Sequence, residues 1–265
     1  MTGSDVKQCC AAFYGSDLAR ALLGESFHPG GVTLTSRLGE LLGLGPESRV
    51  LDVACGRGTS AFHLAARFGC SVLGVDLSEE NVRLAAEESA SREKSDAVQF
   101  CIGDAEKLPF EDGSFDAVVC ECAFCTFPSK EAAAAEFFRV LKPGGAVGLS
   151  DLTRSDGPMP ELEGLLAWVA CIADAQPLER YVALFSDAGF RVEATENWDG
   201  TLVDMVRQVQ GRLMEIEVLA GLKKLDAPGL DLTAAKEFAD AALRAIREGR
   251  LGYQVVLARK VARSA

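Results

Sequence analysis

A chain of 265 residues, 48% of them hydrophobic, has room for one large α/β domain with a full core. Its formal net charge of −12 argues against a nucleic-acid surface, which needs a basic stripe, and no apolar run approaches the ~20 residues of a membrane span. Met1 to Gln8 is polar and lacks the apolar stretch of a secretion signal, so the expected location is the cytoplasm, where thiols stay reduced.

In chain order, residues 1–48 read as helical segments (1–25 and 32–43) around a turn at His28-Pro29-Gly30-Gly31. Strand 49–54, helix 59–68, strand 71–76 and helix 79–91 follow, then strands 97–102 and 115–121 and helix 129–141. A turn at Lys142-Pro143-Gly144-Gly145 precedes strand 146–151. Helices 161–174 and 178–188, strand 190–196, a helical stretch 200–249 broken near Ala227-Pro228-Gly229, and strand 253–260 complete the pattern. Such alternation predicts an α/β fold with a mostly parallel sheet covered on both faces. The strands are near-continuous apolar runs, as buried parallel strands are.

A ligand of such a sheet sits at the carboxyl ends of the strands, where strand order reverses. Val50-Leu51-Asp52-Val53-Ala54-Cys55-Gly56-Arg57-Gly58 carries a strand into a glycine turn, which lets backbone N–H groups approach a ligand. Asp76 ends the second strand, where a carboxylate can hold both hydroxyls of a ribose. These features predict an adenosine-containing cofactor. Ala61 stands where a dinucleotide site would need a third glycine, so a pyrophosphate is not expected. Asp104 and Ala105 follow the third strand, and Glu121, Cys122 and Cys125 follow the fourth, so all converge on one crevice.

The run Asp52-x-Ala54-x-Gly56-x-Gly58 resembles the first motif of class I S-adenosylmethionine (SAM) methyltransferases, with Ala in place of the first Gly. Gly103-Asp104-Ala105-Glu106-Lys107-Leu108-Pro109-Phe110 resembles that family's adenine-binding element. Ser114-Phe115-Asp116-Ala117-Val118-Val119 resembles its fourth strand, and Arg139-Val140-Leu141-Lys142-Pro143-Gly144-Gly145 its turn before the fifth. The resemblance implies a Rossmann-like sheet of seven strands with the last antiparallel, and SAM as cofactor. It implies a SAM site made of Asp52, Ala54, Gly56, Gly58, Asp76, Leu77, Asp104, Ala105, Glu121 and Tyr14. The implied organisation is a helical lid over 1–48, the SAM-binding core over 49–198, and a helical insertion with the final strand over 199–265. The task of such a site is placement of a nucleophile behind an activated methyl, in surroundings that exclude water.

The acceptor is suggested by cysteine, of which the chain has nine. Cys122 lies six residues before Pro128, and Cys171-Ile172-Ala173-Asp174-Ala175 follows the fifth strand. Both places resemble arsenite methyltransferases, as does Asp187-Ala188-Gly189-Phe190. Trivalent arsenic is soft and selects thiolates. The resemblance implies Cys122 and Cys171 as ligands, with Cys125, Cys9 or Cys10 as a third, and a thiol reductant as partner. The chain departs from that pattern at Glu121, where the family more often has Asn, and at Asp174, which replaces a Gly. Cys55, Cys70, Cys101 and Cys120 lie in or beside strands and read as core. A zinc site in Cys120-x-Cys122-x-x-Cys125 would place Cys120 and Cys122 on one face, yet falls short of four ligands. Two other functions stay open: methyl transfer to a small organic acceptor with Glu121 as general base and inert cysteines, and metalloid or SAM binding without turnover. His28 reads as part of a turn and His63 as a partly buried helix residue.

Overall fold

The computed structural model describes residues 27–92, 95–164, 166–167, 171–221 and 231–261. The strands are β1 (Arg49–Val53), β2 (Ser71–Asp76), β3 (Val98–Ile102), β4 (Phe115–Glu121), β5 (Leu141–Arg154), β6 (Phe190–Asn197) and β7 (Leu251–Lys260). They form one seven-stranded sheet in the order β3-β2-β1-β4-β5-β7-β6. Strands β1 to β5 pair in parallel, as the strand–helix alternation predicts, and β7 is antiparallel to both neighbours, as the resemblance implies. The order reverses between β1 and β4, because the chain runs outward from β1 to β3 and returns on the other side. That reversal opens the crevice at the carboxyl ends of β1 and β4.

Alternate residues of the strands face opposite layers. Val50, Val72, Ala117, Val119 and Val255 pack on one side, with Leu34, Leu64 and Ala245 from helices. Leu51, Val53, Val75, Val118, Cys120 and Val256 pack on the other, against Ala133, Phe137 and Phe185. The helices are α1 (Gly31–Leu42), α2 (Thr59–Phe68), α3 (Glu79–Ala90), α4 (Lys130–Val140), α5 (Leu178–Asp187), α6 (Asp199–Gly221) and α7 (Leu232–Arg247). Ser78, Ser129 and Asp231 cap α3, α4 and α7 by accepting backbone N–H bonds, which fixes where those helices start.

Several expectations change. Helix 161–174 does not run as one helix among the described residues: Pro160–Leu162 is a single tight turn, Leu166 and Ala167 are helical, and Gly164 and Cys171 have φ of 80° and 61°, outside the helical range. The Lys142–Gly145 turn bulges within β5, where β4 residue Phe115 pairs with Leu141 and Ala117 already pairs with Ala146. Helix α1 is a wall of the core: Leu34 and Leu38 are fully buried, and a Cβ on Gly39 would lie 2.2 Å from the Phe68 ring. The rest of the expected lid, with Tyr14, Cys9 and Cys10, lies outside the described residues, as does the break at 227–229. No helix among the described residues is long and apolar enough to cross a membrane.

Candidate active site

A cavity of about 520 Å³ opens at the reversal point, a size suited to a small-molecule ligand. Its wall includes Asp52, Ala54, Gly56, Asp76, Leu77, Asp104, Ala105, Glu121 and Cys122. Gly58 does not line it, but shapes its floor. With φ 83°, Gly58 caps α2, and a Cβ there would strike the Phe100 ring at 2.4 Å. Gly56 has φ 55° and no atom within 4 Å of where a Cβ would stand, so its backbone faces open space. Ala54 adopts φ 57°, the same left-handed conformation, although it carries a methyl.

The turn is tied to β2. Asp76 accepts the Gly56 N–H at 2.8 Å and the Ser78 N–H at 2.8 Å. Burial raises its pKa against those bonds. Asp104 accepts the Glu106 N–H at 3.0 Å, so it both shapes its turn and lines the cavity.

The cofactor implied by this turn is SAM, and the buried polar atoms fit it. Asp52 Oδ2 and Asn81 Oδ1 are buried without a hydrogen-bond partner, and both residues line the cavity. Burial, then the charges of Glu121 and Asp76, drive the Asp52 pKa well up. A cationic ligand with N–H and O–H donors answers both orphaned acceptors and that accumulated negative charge.

Beyond β4 the loop divides between the two layers. Phe124 is fully buried and stacks on Phe185 with ring centroids 5.4 Å apart. Cys122 and Cys125 turn to the other layer, with Cys171. The φ of 53° at Cys122 breaks strand alternation, so Cys120 and Cys122 lie on opposite sides of the sheet and the zinc reading fails. Among the described residues no group of three or more His, Cys, Asp or Glu is arranged to hold a metal ion.

The Cys171 thiol is in hydrogen-bond contact with the thiols of Cys122 and Cys125, and lies 3.7 Å from the Cys122 carbonyl oxygen. Cys122 faces the cavity, while Cys125 and Cys171 sit behind it with 0% and 3% exposure. Hydrogen bonding to Cys171, then burial, pushes the Cys122 thiol well above the ordinary range, and burial does the same to Cys125. These two thiols are therefore neutral donors at pH 7. Among the described residues Cys122, Cys171 and Ala54 are the non-glycine positions with positive φ. Such strain persists where surrounding structure imposes it, and it gathers at functional sites.

Residues the sequence reading missed complete the wall. Glu121 is held by Ser60 Oγ at 2.5 Å and by Thr35 Oγ1 at 3.2 and 3.1 Å. His28 does sit in a turn, yet its ring is buried in the cavity wall with Nε2 3.6 Å from Glu121 Oε2. Asp151 lies behind the thiols, accepting the N–H groups of Cys125 and Leu152 at 2.8 and 2.7 Å. A polar pair, Ser150-Asp151, within an otherwise apolar run of β5 was the available signal. Cys70 and Cys120 lie in the core as read, Cys101 is half-buried against it, and Cys55, though buried, lines the cavity rather than the core.

Residues 51–149 match the methyltransferase domain family. An uncharacterized protein of Haemophilus influenzae is 33% identical over 187 residues, covering 69% of this chain and 74% of that one. Phosphoethanolamine N-methyltransferase of Triticum aestivum is 32% identical over 199 residues, or 74% of this chain; the chain spans 38% of that longer protein. The Haemonchus contortus phosphoethanolamine N-methyltransferase 2, solved with phosphomonomethylethanolamine and S-adenosylhomocysteine, superposes with a TM-score of 0.76. That likeness is one of fold, at 22% identity, and covers 98% of this chain and 58% of the other. With the glycine turn, the acid ending β2 and this sheet order on one chain, the protein is a class I SAM-dependent methyltransferase.

Proposed function

We propose that this enzyme methylates trivalent arsenic held by Cys122 and Cys171. The observation that carries the reading is the meeting of two thiols, from the loop after β4 and the segment before α5, each in a strained left-handed conformation beside the SAM cavity. Neutral thiols suit the first step. Arsenous acid carries its own hydroxyls, so each As–S bond forms as a thiol proton leaves with one hydroxyl as water. The bound centre keeps its lone pair. SAM supplies an activated methyl on a sulfonium. Cys122 orients the lone pair from the cavity wall, Cys171 fixes the centre from behind, and the buried Glu121 carboxylate adds negative charge that favours a cationic product. Among the described residues Cys125, whose thiol also meets Cys171, is the candidate third ligand. Cys9, Cys10 and a lid built from residues 1–25 remain part of the proposal.

A second reading has its own support. In this reading Glu121, held by Thr35 and Ser60 and flanked by His28, serves as a general base or a cation-binding carboxylate for a small organic acceptor. The relatives' names point the same way, toward a small amine such as phosphoethanolamine.

Cysteine variants separate the two. Under the arsenic reading Cys122→Ser and Cys171→Ser each abolish arsenic methylation while SAM affinity, measured by calorimetry, is unchanged. Full arsenic activity in both variants overturns it. Loss of amine methylation in Glu121→Gln, with both cysteine variants active on that amine, establishes the second reading.

A further inference from the structure

Two distant segments must stay in register for Cys122 and Cys171 to meet, and an ion pair between a buried lysine and a half-exposed aspartate joins them. Lys130 opens α4 and is 6% exposed. Its Nζ donates to the Phe127 carbonyl at 3.0 Å, on the loop that carries Cys122 and Cys125. It also donates to Asp174, three residues beyond Cys171. A buried ammonium requires a fixed anion, so neither partner drifts without cost.

Apart from the thiol contacts of Cys171 itself, the described anchors around Gln176 lead elsewhere. Gln176 accepts the Arg154 N–H at 3.2 Å, and Tyr181 donates to the Leu152 carbonyl at 3.1 Å, so both tie the segment to β5. Gln176 Nε2 donates to the Asp174 carbonyl at 3.1 Å, which stiffens the turn itself. Among the described residues of this segment, Asp174 is the one whose charge reaches Lys130 and through it the loop after β4. It also stands where the resemblance has glycine, which could not make this bond.

Building on the arsenic reading above, we infer that Lys130 and Asp174 form a positioning latch that sets the distance between Cys122 and Cys171. The latch touches neither cofactor nor acceptor. It acts by fixing the bite of the thiol pair, and so the affinity of the pair for a trivalent arsenic centre.

Arsenite binding to the full chain, measured by calorimetry with a phosphine reductant, tests the latch. Asp174→Asn raises the arsenite dissociation constant about tenfold or more, as misplacement of reacting groups does, and leaves SAM affinity unchanged. Asp174→Glu, which keeps the charge, recovers most of the affinity. Lys130→Met combined with Asp174→Ala removes both charges, so no ammonium is stranded; this variant folds, binds SAM, and shows the same weakened arsenite binding. Unaltered arsenite affinity in Asp174→Asn and in the double variant overturns the latch while leaving the thiol site standing. If the unaltered chain binds arsenite no better than Cys122→Ser, the thiol site itself fails, and the latch falls with it.

Discussion

Asp151 gives the thiol cluster a measurable electrostatic signature. The residue is 1% exposed, and burial lifts its pKa from 3.8 to about 7, against the bonds it accepts from Cys125 and from the Leu152 N–H. In the unfolded chain this carboxyl ionises near its ordinary value. The folded chain holds the proton until about pH 7, and so binds more protons than the unfolded chain across that window. Stability therefore falls as pH rises from about 4 to about 7 and then levels, by about 4 kcal/mol in total. Asp151→Asn stays neutral throughout and keeps one carbonyl acceptor for the two N–H groups. Urea unfolding of both chains at about pH 4.5 and pH 8 isolates the effect, because Asp52 and Asp76, also raised by burial, contribute equally to each. The variant should gain about 3 kcal/mol on the unaltered chain between the two conditions. Parallel curves would refute the picture of a buried, protonated Asp151 behind the thiols.

Gly58→Ala forces a methyl to within 2.4 Å of Phe100 at φ 83°, and urea unfolding should show a loss of about 2–4 kcal/mol; a neutral result would mean the turn is built differently. Asp76→Ala removes the acceptor of the Gly56 N–H and the carboxylate expected to hold the ribose hydroxyls, so SAM affinity measured by calorimetry should fall about a hundredfold; an unchanged dissociation constant rejects the ribose assignment. Ala54→Gly relieves left-handed strain but frees the unfolded chain, so stability should move by less than about 1 kcal/mol and SAM should still bind. A larger loss would show that packing of the Ala54 methyl against the core outweighs the strain it carries.

The sheet was legible because buried parallel strands write themselves as apolar runs ended by glycine turns, and the crevice rule then placed Asp52, Asp76, Asp104 and Glu121 together. The thiol meeting was legible only through resemblance, since nothing in local pattern brings position 171 to position 122. The interrupted helix 161–174 shows why: its apolar spacing is helical throughout, yet Gly164 and Cys171 take left-handed φ under tertiary constraint. The same left-handed turn at Cys122 defeated strand alternation. His28, Ser60 and Thr35 were missed because a turn residue and two hydroxyls carry no signal until a buried carboxylate collects them. Lys130 was missed for a similar reason. A lysine at a helix start reads as solvent-exposed, and only the fold shows it buried against Asp174.

The most direct test of methyl transfer to arsenic is product analysis. The protein is incubated with SAM, glutathione and arsenite or methylarsenite, and arsenic species are separated by chromatography with elemental mass detection. The thiol mechanism predicts methylated arsenic that requires protein, SAM and Cys122. Absence of any methylated arsenic, with SAM bound and phosphoethanolamine methylated under the same conditions, would contradict it and leave Glu121 at the centre of the site.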